Sequence, residues 1–114
     1  MTQPSQVGQS GGPTIEVLYF EGCPNHERAV ALLRKALAAE QITTPIRLIR
    51  VETAAAARRH GFYGSPSIRI NGKDIAPLPA GATPGLACRV YQLPDGHLAP
   101  VPAYEVVVAA LRQR

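Results

Sequence analysis

The feature that most constrains this chain is the junction Phe20-Glu21-Gly22-Cys23-Pro24-Asn25-His26. Before it, residues 14–20 (Thr-Ile-Glu-Val-Leu-Tyr-Phe) are β-rich and almost continuously apolar, the pattern of a strand covered on both faces. After it, from Pro24 to about Glu40, Ala29, Val30, Leu32, Leu33 and Leu37 recur at three- and four-residue spacing and predict an amphipathic helix. Pro24 is predicted at the first helical position, where its missing N–H is no loss and its φ is already helical. Cys23 therefore sits where unpaired N–H groups and the helix dipole favour thiolate over thiol, a setting for a reactive sulfur.

The pattern continues as α/β. Pro45 closes a break, and residues 46–51 (Ile-Arg-Leu-Ile-Arg-Val) predict a second strand, nearer an edge because of its two arginines. Thr53 can cap a short helix through the alanines to about His60, which Gly61 ends. Two strands joined by a helix of that length should be parallel with a right-handed crossover. Asn71-Gly72 between short β-type runs signals a hairpin, with strand three at 67–70 and strand four at 73–75. Residues 76–101 are rich in proline and glycine and read as an insertion, with a short strand at 88–92 and a turn at Pro94-Asp95-Gly96. Pro102 opens a last helix that should bury Tyr104, Val107, Val108 and Leu111.

A chain of 114 residues supports one domain with a modest core. Residues 1–13 are polar and expected to form a disordered tail, leaving 14–114 as the domain. No run spans a membrane and no basic-then-apolar leader opens the chain, so the expected setting is the reducing cytoplasm, without membrane partners. There a pair of cysteines serves catalysis or metal binding more often than stapling. The net charge of +4 is spread over Arg47, Arg50, Arg58, Arg59, Arg69, Lys73 and Arg89, which read as solvated surface; without aromatics among them they do not suggest nucleic acid. His60 and His97 stand apart and do not suggest zinc. The residues call for no cofactor. An edge strand, 46–51 or 88–92, could pair two copies into a homodimer.

The order β-α-β-α-β-β-α, with Cys23-Pro24-Asn25-His26 opening the first long helix and Gly64-Ser65-Pro66-Ser67-Ile68 before strand three, resembles the thioredoxin-like fold family. The resemblance covers about 14–75 and the last helix. It implies a central mixed sheet of four to five strands flanked by helices. It also implies a cis Ser65–Pro66 bond that exposes the Ser65 backbone beside Cys23, as an extended edge on which a peptide or thiol substrate can pair. His26 stands where that family's redox motif has its second cysteine. It is read either as an exposed helix residue or as an imidazolium near the sulfur. Tyr19-Phe20-Glu21-Gly22-Cys23-Pro24-Asn25, Gly64-Ser65-Pro66 and Leu86-Ala87-Cys88-Arg89-Val90-Tyr91 are also similar to short bacterial thioredoxin-like proteins labelled alkylmercury lyase-like. That chemistry needs two thiolates and an acid, for which Glu21 is the nearest candidate.

Chain topology returns the 76–101 insertion toward the Cys23 end of the sheet, which makes Cys88 a candidate second thiol. Three readings fit these residues. In the first, Cys23 thiolate attacks a protein or small-molecule disulfide, Cys88 or an external thiol resolves the mixed disulfide, and Pro24, Ser65 and Pro66 shape the substrate side. In the second, Cys23 and Cys88 bind mercury or another soft metal, with His26 as a third ligand. In the third, the fold is a module without chemistry in which Cys23 is a relic cap; the alternative reading of Cys88 by itself is a small buried hydrophobe at a strand start.

Overall fold

A computed structural model describes residues 13–78 and 80–113. The expected tail at 1–12 lies outside the described residues. Strand β1 (Ile15–Tyr19) leads into helix α1 (His26–Ala39), strand β2 (Ile46–Arg50) and helix α2 (Ala54–His60). The β3–β4 hairpin follows (Ser67–Ile70 and Lys73–Asp74), then short strands β5 (Tyr91–Gln92) and β6 (Leu98–Ala99) and helix α3 (Tyr104–Arg112). The result is a mixed α/β fold. Its four-stranded sheet has the order β2-β1-β3-β4. β2 runs parallel to β1, and β3 antiparallel to it. The parallel pair is the one joined through α1, as a crossover connection requires.

Register follows from the two-residue period of a strand. Ile15 and Val17 of β1, with Ile68 and Ile70 of β3, join Leu33, Ala36 and Leu37 of α1 and Val107 and Leu111 of α3 in one core. Leu18 points to the other face, where it meets Val51, Ala57 and Phe62 under α2. The sheet is therefore covered on both faces in its middle. β2 lies at the edge, and its Leu48 is half exposed.

Local signals explain how the elements end. Thr53 takes an extended conformation and its hydroxyl accepts from the Ala56 N–H at 3.0 Å, capping α2. Gly61 ends the helix at φ 60°, while the Phe62 N–H reaches back to the Ala57 carbonyl at 2.8 Å. The Arg69 guanidinium donates to the carbonyls of His60 and Gly61 and secures the same helix end. Thr53→Ala should cost about 1 kcal/mol, and Thr53→Gly only a few tenths, because glycine tolerates the cap geometry. Urea denaturation of the two variants checks this; equal losses would contradict a role for the hydroxyl.

Some boundaries differ from the sequence reading, β1 and β2 only by a residue at an end. Helix α1 starts at His26 with Asn25 as its N-cap, so Pro24 lies in the preceding turn rather than at the first helical position. Strand β4 ends at Asp74. Of the expected strand at 88–92, only Tyr91–Gln92 is strand, and it pairs with Leu98–Ala99 in a separate two-stranded sheet around the turn at 94–96. Cys88 makes an isolated parallel bridge to Ser65 instead.

Candidate functional site

Leu18 pairs with Ser67, so the C-terminal end of β1 and the N-terminal end of β3 lie together. Cys23 follows the first and Ser65–Pro66 precedes the second. The Ser65–Pro66 peptide is cis, the isomer the resemblance implies. Cys23 is held by its own turn, its N–H donating to the Phe20 carbonyl at 3.0 Å. Its Sγ accepts from the Asn25 N–H at 3.4 Å and donates to the Ser65 carbonyl at 3.5 Å. The sulfur thus meets one N–H at the start of α1 and the residue before the cis proline. It is buried, at 2% exposure.

The Ser65 backbone is not an open edge. Its N–H donates to the Ala87 carbonyl and its carbonyl accepts from the Arg89 N–H, both at 2.8 Å. The chain's own insertion occupies the place expected for a substrate strand. Residue 88, between those two partners, is the second cysteine. Both cysteines are free thiols: Cys23 is buried and Cys88 exposed, and each adjoins Ser65. Cys88 is therefore not a small buried hydrophobe at a strand start. The Ser65 hydroxyl is a buried side-chain oxygen with no hydrogen-bond partner. Such an orphan costs about 1–3 kcal/mol and is usually tolerated only for a reason.

Side chains flanking Cys88 pin the insertion in place. Exposure alternates from 88 to 92, with Arg89 and Tyr91 buried and Cys88, Val90 and Gln92 exposed. The Arg89 guanidinium, 5% exposed, forms a fork on Asp74, with Nη1 to Oδ2 at 2.9 Å and Nη2 to Oδ1 at 3.0 Å. It also donates to the Ser67 hydroxyl at 3.1 Å and to the Ala76 carbonyl. Burial works against its charge, yet the Asp74 carboxylate outweighs that and leaves its pKa raised. Arg89 stacks on the Tyr91 ring at 4.8 Å. The Tyr91 hydroxyl donates to the Pro66 carbonyl at 2.6 Å, and burial pushes its pKa far up, which keeps that donor protonated. Arg89 is thus a buried anchor rather than the solvated surface residue its charge suggested. The signal was present in the sequence: in an extended run it falls in phase with Tyr91.

Other expectations need correction. The His26 ring makes its hydrogen-bond contact with the Cys23 backbone and not with the sulfur. Its Nδ1 lies 2.9 Å from the Cys23 carbonyl oxygen, and its ring stacks on Tyr19 with centroids 4.3 Å apart. Pro24 is exposed. Glu21 turns to the surface, where its carboxylate is 3.6 Å from Arg50 and its N–H donates to Glu52. The hydrogen bond from Arg50 holds the Glu52 carboxyl below its ordinary range. Among the described residues no group of three or more His, Cys, Asp or Glu side chains could hold a metal ion, so His26 does not complete a three-ligand site with the cysteines. Among the same residues no helix is long and apolar enough to cross a membrane.

The arrangement is two thiols that each adjoin one residue, one buried and one presented by a clamped segment. No known family model matches the chain, and no curated protein matches it.

Proposed function

We propose that this chain is a thioredoxin-like thiol–disulfide exchange protein whose working pair is Cys23 and Cys88. One observation carries the reading: the Cys23 sulfur contacts the Ser65 carbonyl, and Cys88 is the residue bridged to Ser65. Neighbouring strands lie about 5 Å apart, so the bridge sets the Cys88 backbone one strand spacing from Ser65, the residue whose carbonyl the Cys23 sulfur contacts. The cis peptide before β3, the cysteine ahead of α1 and the β2-β1-β3-β4 order support the thioredoxin-like assignment. A reducing cytoplasm would keep both thiols free between turnovers.

The reaction is exchange. A thiolate attacks a disulfide, one half leaves, and the second cysteine displaces the other half and closes an intramolecular disulfide. Treating the protein with oxidised glutathione should yield a Cys23–Cys88 disulfide, seen by peptide mapping and lost on adding dithiothreitol. Each single Cys→Ser variant should stop at a mixed disulfide. If the wild type carries glutathione on either cysteine and never closes the internal bond, this reading fails. A mercuric-ion titration is the counter-test: stoichiometric binding that needs both cysteines, without disulfide turnover, favours a soft-metal site instead.

A further inference from the structure

We propose that Cys88, rather than Cys23, is the thiol that first meets substrate, and that the substrate is a low-molecular-weight disulfide rather than a polypeptide strand. This rests on the Cys23–Cys88 reading and adds to it the order of attack and the class of substrate.

The order follows from access. Exchange requires the incoming sulfurs to line up with the attacking one, so the nucleophile must have open space before it. Cys23 has 2% of its surface exposed and its sulfur is engaged with Asn25 and Ser65. Cys88 is exposed, on the outward phase of a run whose inward residues, Arg89 and Tyr91, are fastened to Asp74, Ser67 and Pro66. The fold thus leaves one cysteine exposed to solvent and keeps the other buried.

The substrate class follows from the backbone. A polypeptide recognised by strand addition needs a free N–H and carbonyl on the receiving edge. At Ser65 both are taken by Ala87 and Arg89. A small disulfide needs no such edge and can reach Cys88 directly.

The steps balance. The Cys88 thiolate attacks one sulfur of RSSR; the Cys88–S bond forms, the S–S bond breaks, and RS⁻ leaves and takes up the proton Cys88 released. The Cys23 thiolate then attacks the Cys88 sulfur, the internal disulfide forms, and the second RS⁻ leaves with the proton from Cys23. RSSR is reduced to two RSH while the two cysteines are oxidised. A dithiol, or two equivalents of a monothiol, restores them.

Limited alkylation of the reduced wild type with iodoacetamide, followed by peptide mapping, tests the order without any substitution; Cys88 should be modified first. With oxidised glutathione, Cys23→Ser should form its mixed disulfide about tenfold or more faster than Cys88→Ser. The wild type should reduce 2-hydroxyethyl disulfide and leave insulin at the rate of the reductant alone. Modification of Cys23 first, or a Cys88→Ser rate equal to or above that of Cys23→Ser, overturns the order. Insulin reduced as fast as the small disulfide overturns the substrate class. If Cys88 leads in alkylation but no internal disulfide forms in the oxidised wild type, the parent reading falls and takes this one with it.

Discussion

Asp74→Ala is expected to lower stability by about 3 kcal/mol, a large part of what a domain of this size has to lose. The carboxylate accepts both arms of the Arg89 fork, at 2.9 and 3.0 Å, and Arg89 is only 5% exposed. Removing Asp74 leaves a nearly buried guanidinium without the carboxylate that neutralises it. The Ser67 hydroxyl and Ala76 carbonyl remain as partners, which keeps the loss toward the lower end of the range for a broken buried pair. For a domain near this length such a loss lowers the melting temperature by roughly 12–24 °C. Asp74→Leu with Arg89→Met removes both charges and should recover much of the stability, since the penalty lies in the unpaired ion more than in the missing pair. The site should register the same change. Arg89 follows Cys88 directly, so Asp74→Ala should loosen the bridge to Ser65 and raise the alkylation rate of Cys23. Thermal denaturation and mapped alkylation on the same samples decide it. A loss below about 1 kcal/mol, as for an exposed ion pair, would mean that the fork does not hold the insertion down.

That clamp also marks where the sequence stops being legible. β1, α1, β2 and α2 could be read because each is set by a short-range signal: the nearly continuous apolar run over 14–20, the stripe through Val30, Leu33 and Leu37, the Thr53 cap and the Gly61 stop. Asn71-Gly72 placed the hairpin for the same reason, with positive φ at both residues. The insertion obeys different physics. Residues 87–89 are held by a fork to a carboxylate fifteen positions earlier and by two backbone bonds to Ser65, and no local pattern encodes a partner at that distance. Alternation from 88 to 92 is real, but the ladder hydrogen bonds that make a strand exist only at Tyr91–Gln92. The contact His26 makes was not legible for a related reason. Its spacing from Cys23 admits a contact with the sulfur or with the carbonyl, and the stacking surface of Tyr19 goes with the carbonyl.

Gly64→Ala should be as damaging as the loss of Asp74, by a different route. Gly64 sits at φ +145°, where a side chain is strained whatever the space around it, at about 1–3 kcal/mol. The space is also absent: a Cβ there would lie 3.1 Å from the Arg89 Cα and backbone nitrogen and 3.2 Å from its Cβ. Backbone cannot swing aside as a flexible side chain would, so Arg89 must move. Arg89 N–H is the donor to the Ser65 carbonyl, and its guanidinium holds Asp74. The substitution therefore combines backbone strain, the loss of one or both bonds that seat residues 87–89, each worth about 0.5–1.5 kcal/mol, and a disturbed ion pair. Gly72→Ala is the control. It has a positive φ of 78° and nothing within 4 Å of the added carbon, so it reports conformational strain alone, about 1–2 kcal/mol. Gly64→Ala should exceed it by at least about 1 kcal/mol in urea denaturation. Only Gly64→Ala should also speed alkylation of Cys23, because only there is the segment bonded to Ser65, whose carbonyl the buried sulfur contacts, pushed from its place. Equal losses in the two variants, with Cys23 equally protected in both, would show that the approach of Gly64 to Arg89 does not keep the insertion over the site.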